Sequence, residues 1–168
     1  MIDLIINRLF KNTIYVQFSA EWISVKHVET GKTIEDKPLL ALKKNRKGRN
    51  VVLAVGSEVE QIKADPGVVI LNGFSHPRVC ISDFEIAQAT LMHFVRKALN
   101  KTVFIRPTMI VHPKGNLEGG LSTIEDRALK ELASAAGARK SYIWIGQKLE
   151  DAELISLIFP KTTERRKA

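Results

Sequence analysis

Four histidines and one cysteine are the side chains best able to do acid–base, nucleophilic or metal chemistry in this chain. Their spacing argues against most of it. His27, His76, His93 and His112 do not recur at metal-ligand spacing, and Cys80 has no second thiol for a zinc cage or an internal disulfide. His93 lies beside Phe94 in a helical pattern, where a packed structural histidine is the simplest role. His112 ends an apolar run just before Pro113, and the carboxyl ends of strands are where open α/β sheets hold ligands. It has neither a nucleophile nor an acidic partner in view, so acid–base catalysis lacks a second member. Gly115, Gly119 and Gly120 make a flexible loop around Asn116-Leu117-Glu118, but no Lys-Ser or Lys-Thr pair follows as a phosphate loop requires. These residues assign no catalytic group, no metal ligand and no cofactor.

Binding chemistry is better represented. The net charge is +8, and cations cluster in Lys43, Lys44, Arg46, Lys47 and Arg49 and again from Lys161 to Lys167. Such a balance suits anionic partners, nucleic acid or acidic lipid, although two solvated basic loops would look the same. Trp22 and Trp144 do not alternate with arginines as single-strand binders need, which weakens the nucleic-acid alternative. At the N-terminus Ile2, Ile5, Ile6 and Leu9, flanked by Met1 and Phe10, share one face of a helix, with Asp3, Asn7 and Lys11 opposite. At about 0.8 kcal/mol per buried methylene, that face could hold the chain in a bilayer interface. A terminal helix docked on its own core would show the same pattern.

The elements that must position these residues can be read in order. A chain of 168 residues, 45% hydrophobic, is long enough for one sizeable core and short for two domains. No run approaches the roughly 20 apolar residues of a membrane span. No secretory pattern opens the chain, and the lone cysteine suits a reducing, cytoplasmic compartment. Ile14–Phe18, Trp22–Lys26, Pro38–Leu42, Val51–Gly56 and Val68–Leu71 have strand character. Ser57 to Glu60 has capping-box spacing and opens a short helix that Pro66-Gly67 stops. Ser82 to Glu85 opens a longer one, to about Leu99, with Ala87, Leu91, Phe94, Val95 and Ala98 as its core face. Met109-Ile110-Val111 reads as a strand covered on both faces. A second capping box, Ser122 to Glu125, starts a helix with Ile124, Ala128, Leu129, Leu132 and Ala136 inward and Gly137 at its C-cap. Ser141 to Gly146 returns as a strand. This is a βαβ crossover, so the sheet should be partly parallel. The expected organisation is an amphipathic helix over 1–12, one domain over 13–158 and a basic flexible tail over 159–168.

Strands, a helix and then a βαβ unit is the order of the first half of an actin-like fold. Asp83-Phe84, then Leu91-Met92-His93-Phe94-Val95, Arg106-Pro107, Ile110-Val111-His112-Pro113, Glu125-Asp126-Arg127-Ala128 and Ala135-Ala136-Gly137-Ala138-Arg139 resemble MreB, the bacterial actin. The resemblance covers roughly residues 13 to 158. It implies a single α/β domain of the actin-like (ribonuclease H-like) class, with a mixed sheet and flanking helices. Because some MreB proteins attach to the inner membrane by a short terminal helix, it also implies a peripheral place on the cytoplasmic face.

Where the family has an acid-x-Gly-Thr turn for the metal's water and the phosphates, an ungapped alignment anchored on Val25-Lys26 places Tyr15, Gln17 and Phe18. The family's Glu-Glu-Pro, which helps position the attacking water, corresponds to Gly146-Gln147-Lys148. The second phosphate loop and the adenosine pocket belong to a second half that this sequence does not reach. The resemblance therefore implies a pseudo-ATPase: a structural or adaptor protein binding an MreB-like filament or itself. Phe18 and Trp144-Ile145-Gly146 are near the face where a homodimer would form. The alternatives are a scaffold subunit of a membrane-bound secretion or pilus assembly, and a nucleic-acid-binding module acting through the basic patch.

Overall fold

A computed structural model describes residues 11–62, 65–99, 106–115, 117 and 119–160. The expected terminal helix, with its membrane-facing Met1, Ile2, Ile5, Ile6, Leu9 and Phe10, and most of the basic tail lie outside the described residues.

The described residues build two sheets. The strands β1 (Thr13–Phe18), β2 (Ile23–His27), β3 (Thr33–Asp36), β4 (Leu40–Lys44), β5 (Asn50–Val55), β6 (Val68–Leu71), β7 (Thr108–Pro113) and β8 (Lys140–Ile143) divide five to three. The main sheet has the order β3-β2-β1-β7-β8 and the small sheet β5-β4-β6. The main sheet is mixed: β1 pairs antiparallel with β2 but parallel with β7, and β7 pairs parallel with β8. The parallel step is the expected βαβ crossover.

Among the described residues three α-helices accompany the sheets, α1 (Phe84–Ala98), α2 (Thr123–Ala135) and α3 (Asp151–Ser156). Asp83 caps α1 by accepting the Ile86 N–H at 3.1 Å, and all five expected core residues of this helix are buried. Ser122 and Glu125 complete both arms of the capping box on α2, and Gly137 takes the left-handed conformation after it, φ 107°. Along β1 the side chains alternate. Ile14, Val16 and Phe18 enter the core under α1 and α2, and Tyr15 belongs to a second cluster with Val28, Ile110, Trp144, Leu149 and Leu154. The second face of the main sheet is thus covered by α3 and the segment leading to it.

At several places local patterns give way to longer-range effects. The pattern Thr33-Ile34-Glu35-Asp36 carries no apolar run, yet it forms β3, whose edge position lets Glu35 face water. The third expected strand begins at Leu40, not Pro38, and extends to Lys44, while the last one ends at Ile143 rather than Gly146. Ser57 to Glu60 is no capping box: Gly56–Gln61 is a 3₁₀ turn without a side-chain cap. Asp36 takes that role from β3, its Oδ1 accepting the Ser57 N–H at 2.8 Å, while Glu60 pairs with Lys37. Ile124 is 79% exposed, because the buried row of α2 is centred on Leu129, Leu132 and Ala133. At 100° per residue, Ile124 lies about 130° round the wheel from that centre.

Among the described residues, no helix is long and apolar enough to cross a membrane.

Candidate functional site

The parallel register of β1 and β7 sets Gln17 directly beside His112, with Tyr15 two residues back on the same face. The arrangement follows from alternation: Ile14, Val16 and Phe18 are drawn into the core, which turns Tyr15 and Gln17 to the opposite side. There the three polar side chains meet beneath the 144–149 segment. Tyr15, Gln17 and His112 are all buried, His112 to 1% exposure.

The hydrogen bonds close on themselves. The Leu149 N–H donates to the Tyr15 oxygen at 3.3 Å. The single phenolic proton is then left to donate to His112 Nδ1, 2.5 Å away. Gln17 Nε2 approaches the same nitrogen at 3.4 Å. With Nδ1 accepting, His112 carries its proton on Nε2 and donates to the Gly146 carbonyl at 3.0 Å. That carbonyl also accepts from Lys114 Nζ at 3.3 Å. Trp144 stands edge-on to His112 at 6.5 Å and donates its Nε1–H to the Gln147 carbonyl at 2.8 Å. Gly146 has φ 147°, and a Cβ there would sit 3.0 Å from the Trp144 ring, so glycine lets this turn close.

Electrostatics agrees with this tautomer. Burial, and then the charge of Lys114, lowers the His112 pKa to about 4. Burial also raises the Tyr15 pKa, with Glu153 adding to the effect, so the phenol stays a donor. The group is neutral at physiological pH, and both imidazole nitrogens are engaged inside the protein. Such an arrangement can rigidify the centre of the sheet, but it points no base, nucleophile or anion-binding N–H toward a ligand.

The structure therefore gathers Tyr15, Gln17 and Gly146 into one place and separates Phe18 and the basic patch from it. Phe18 points to the opposite face, where its ring packs on Phe74 at 4.6 Å. It also lines a cleft of about 400 Å³ with Trp22, Arg78 and Lys114. Gln147 joins through its backbone carbonyl. Of the residues near the expected dimer face, Phe18 and Trp144 are buried, Ile145 is half-buried and Gly146 is exposed. The basic patch lies elsewhere, on the turn between β4 and β5. Asn45 Oδ1 orders that turn by accepting the Lys47 and Arg49 N–H groups. Lys43 pairs with Asp65, and Lys44, Arg46, Lys47 and Arg49 are exposed.

His112 is the residue that spacing alone undervalues. Its partners lie far along the chain in Tyr15 and Gly146, and only strand register brings them together. Its position at a strand end before Pro113 was the available signal.

The chain matches the family described as MreB/Mbl protein over residues 13–149. The cell shape-determining protein Mbl of Bacillus subtilis (strain 168) is 32% identical to it over 114 residues, which are 67% of this chain and 32% of that protein. Among solved structures, MreB5 of Spiroplasma citri bound to ADP superposes with a TM-score of 0.61 at 17% identity, covering 80% of this chain and 38% of that one. A non-polymerising MamK mutant bound to AMPPNP gives 0.59 at 18% identity, covering 80% and 41%. Both structural likenesses establish an actin-like fold. The chain spans about a third of the length of the curated relative.

Proposed function

The chain belongs to the MreB/Mbl family of cell-shape and cytoskeletal proteins, and on that premise we propose that it is a non-catalytic member that works through protein contacts. The observation that carries this reading is the closed Tyr15–His112–Gly146 hydrogen-bond group. It stands where the resemblance puts the acid that orders the metal's water and the residues that position the attacking water. A buried neutral phenol cannot order a metal's water shell. Gln17 puts a side chain where backbone N–H groups would have to reach phosphate.

Its partner on this reading is an MreB-like filament or a second copy of itself, on the cytoplasmic face of the membrane. Met1, Ile2, Ile5, Ile6, Leu9 and Phe10 supply the lipid contact. Two assays test it. Thermal melts and phosphate release with Mg-ATP should show no shift and no turnover. Saturable nucleotide binding or hydrolysis would overturn the non-catalytic part. Co-sedimentation with anionic liposomes should require residues 1–11 and persist partly in high salt. Equal pelleting of the chain lacking them would refute the anchor.

A further inference from the structure

The small sheet is the least protected part of the molecule. Val51, Val52, Leu53, Val69, Ile70 and Leu71 are all exposed there, Val69 and Ile70 by more than half. Each sheet has two edge strands among the described residues, and three of the four carry a device that discourages pairing with another chain. The edge strand β3 bears Glu35 and Asp36. At the other edge β8 carries Lys140, whose ammonium lies 4.8 Å over the Tyr142 ring. On β5 the register against β4 shifts between Ala41 and Leu42, a bulge-like break, and the strand runs straight into the 3₁₀ turn. The exception is β6. Val68-Val69-Ile70-Leu71 has no charge and no proline, and pairs regularly with β4 from Leu40↔Leu71 to Lys43↔Val68.

We propose that the outer edge of β6 pairs antiparallel with β6 of a second copy of this chain, joining two small sheets into one of six strands. The inference rests on the self-association branch of the functional reading. The uncharged, regularly paired edge of β6 is complementary to its own antiparallel copy, and charge permits that occupant. A chain of net charge +8 can meet its own copy only where its cations are kept apart, and β6 places no charge opposite a charge. The Val68 end of β6 adjoins Lys43, next to the basic turn, so antiparallel pairing sends the two basic turns to opposite ends of the joined sheet. The contact is isologous, as a two-fold dimer requires. An axis perpendicular to the sheet keeps each face with itself, so the ladder must centre on Val69 or on Ile70 facing its own equivalent.

Sedimentation equilibrium of the full chain, run beside pelleting with filaments of a full-length MreB/Mbl protein, tests this. The expected result is a concentration-dependent dimer whose Kd rises at least about tenfold in Ile70→Lys, which puts a charge into the joined edge whichever residue the ladder centres on, and changes less than about twofold in Val51→Lys on the opposite edge. In case the lysine variant folds poorly, Val69→Cys and Ile70→Cys are made in a Cys80→Ser background and mildly oxidised. At least one should form a covalent dimer, since opposed residues across an antiparallel ladder lie about 4.5–5.5 Å apart at Cα. Val52→Cys should not. A monomeric parent chain, a dimer that Ile70→Lys leaves intact, or one that Val51→Lys weakens equally overturns the proposal. Filament pelleting that survives in any of those cases keeps the cytoskeletal reading while removing this surface.

Discussion

The central strands and the small sheet are built from similar residues and put them to opposite use. Every residue of β1 and β7 is buried, including Thr13, Gln17 and His112. Four consecutive residues of β5, Asn50 to Leu53, are exposed, and so are three of the four in β6. Val51-Val52-Leu53 is no less apolar than Met109-Ile110-Val111. What differs is position: β1 and β7 have neighbours on both edges and cover on both faces, whereas β5 and β6 are edges of a sheet that meets the core mainly through Leu40, Leu42 and Val55. Apolar content selects strands, and topology decides what they bury.

The sharpest way to break this contrast is to truncate one side chain in each region. Met109→Ala removes a side chain with no exposure, and unfolding stability should fall by about 2–5 kcal/mol. Ile70→Ala, at 54% exposure, should cost less than about 1 kcal/mol in dilute monomer. Urea titrations of the two variants measure both. Equal losses would mean that the small sheet is covered in solution.

The buried polar group is the next largest effect. Tyr15→Phe leaves the Leu149 N–H without an acceptor and His112 Nδ1 without its phenolic donor. The expected loss is about 1–3 kcal/mol, since orphaned buried groups bear their full desolvation cost. Protonation of His112 should act in the same direction. Its folded pKa, about 4, lies below the ordinary 6.5, so the unfolded chain takes up the proton first. The stability from neutral His112 is complete above pH 6.5 and is lost as pH falls toward 4. Burial lowers the pKa of His27 and His93 too, so the diagnostic quantity is the difference between parent and His112→Gln melts over that window. If the two pH profiles superimpose, His112 does not hold its depressed pKa.

The order of strands and helices, the βαβ crossover, the α1 core face and the cap at Ser122 were legible because periodicity and local hydrogen bonding determine them. Two kinds of feature were not. The division into two sheets, and β3 itself, depend on which edges pair, and Thr33 to Asp36 looks like a loop until β2 lies beside it. The site was half legible. The sequence singled out Tyr15, Gln17 and Gly146 as substitutions but held His112 to be without partners, because its contacts with Tyr15 and Gly146 span 97 and 34 positions. Short-range spacing carries no information about such pairs.

Asp36 joins the two regions, and a smaller effect should show how they are coupled. It ends β3 in the main sheet, while its carboxylate holds the turn that follows β5. Asp36→Ala should cost about 1 kcal/mol, as loss of a cap does. Hydrogen exchange should quicken in the 3₁₀ turn and β5 while β1 and β7 stay protected. Uniformly faster exchange would mean that the sheets open as one unit.

Ile124 supplies the smallest effect. It stands in the same helix as Leu132, and both fit an apolar helical face on paper. Leu132 is fully buried, and Ile124 is 79% exposed on the first turn. Ile124→Gln should change stability by no more than about 0.5 kcal/mol in either direction, since little burial is lost and Gln is a good helix former. A loss approaching that of a core truncation would show that a partner or another part of the protein covers the outer face of α2. The contrast between buried and exposed apolar residues would then extend beyond the small sheet.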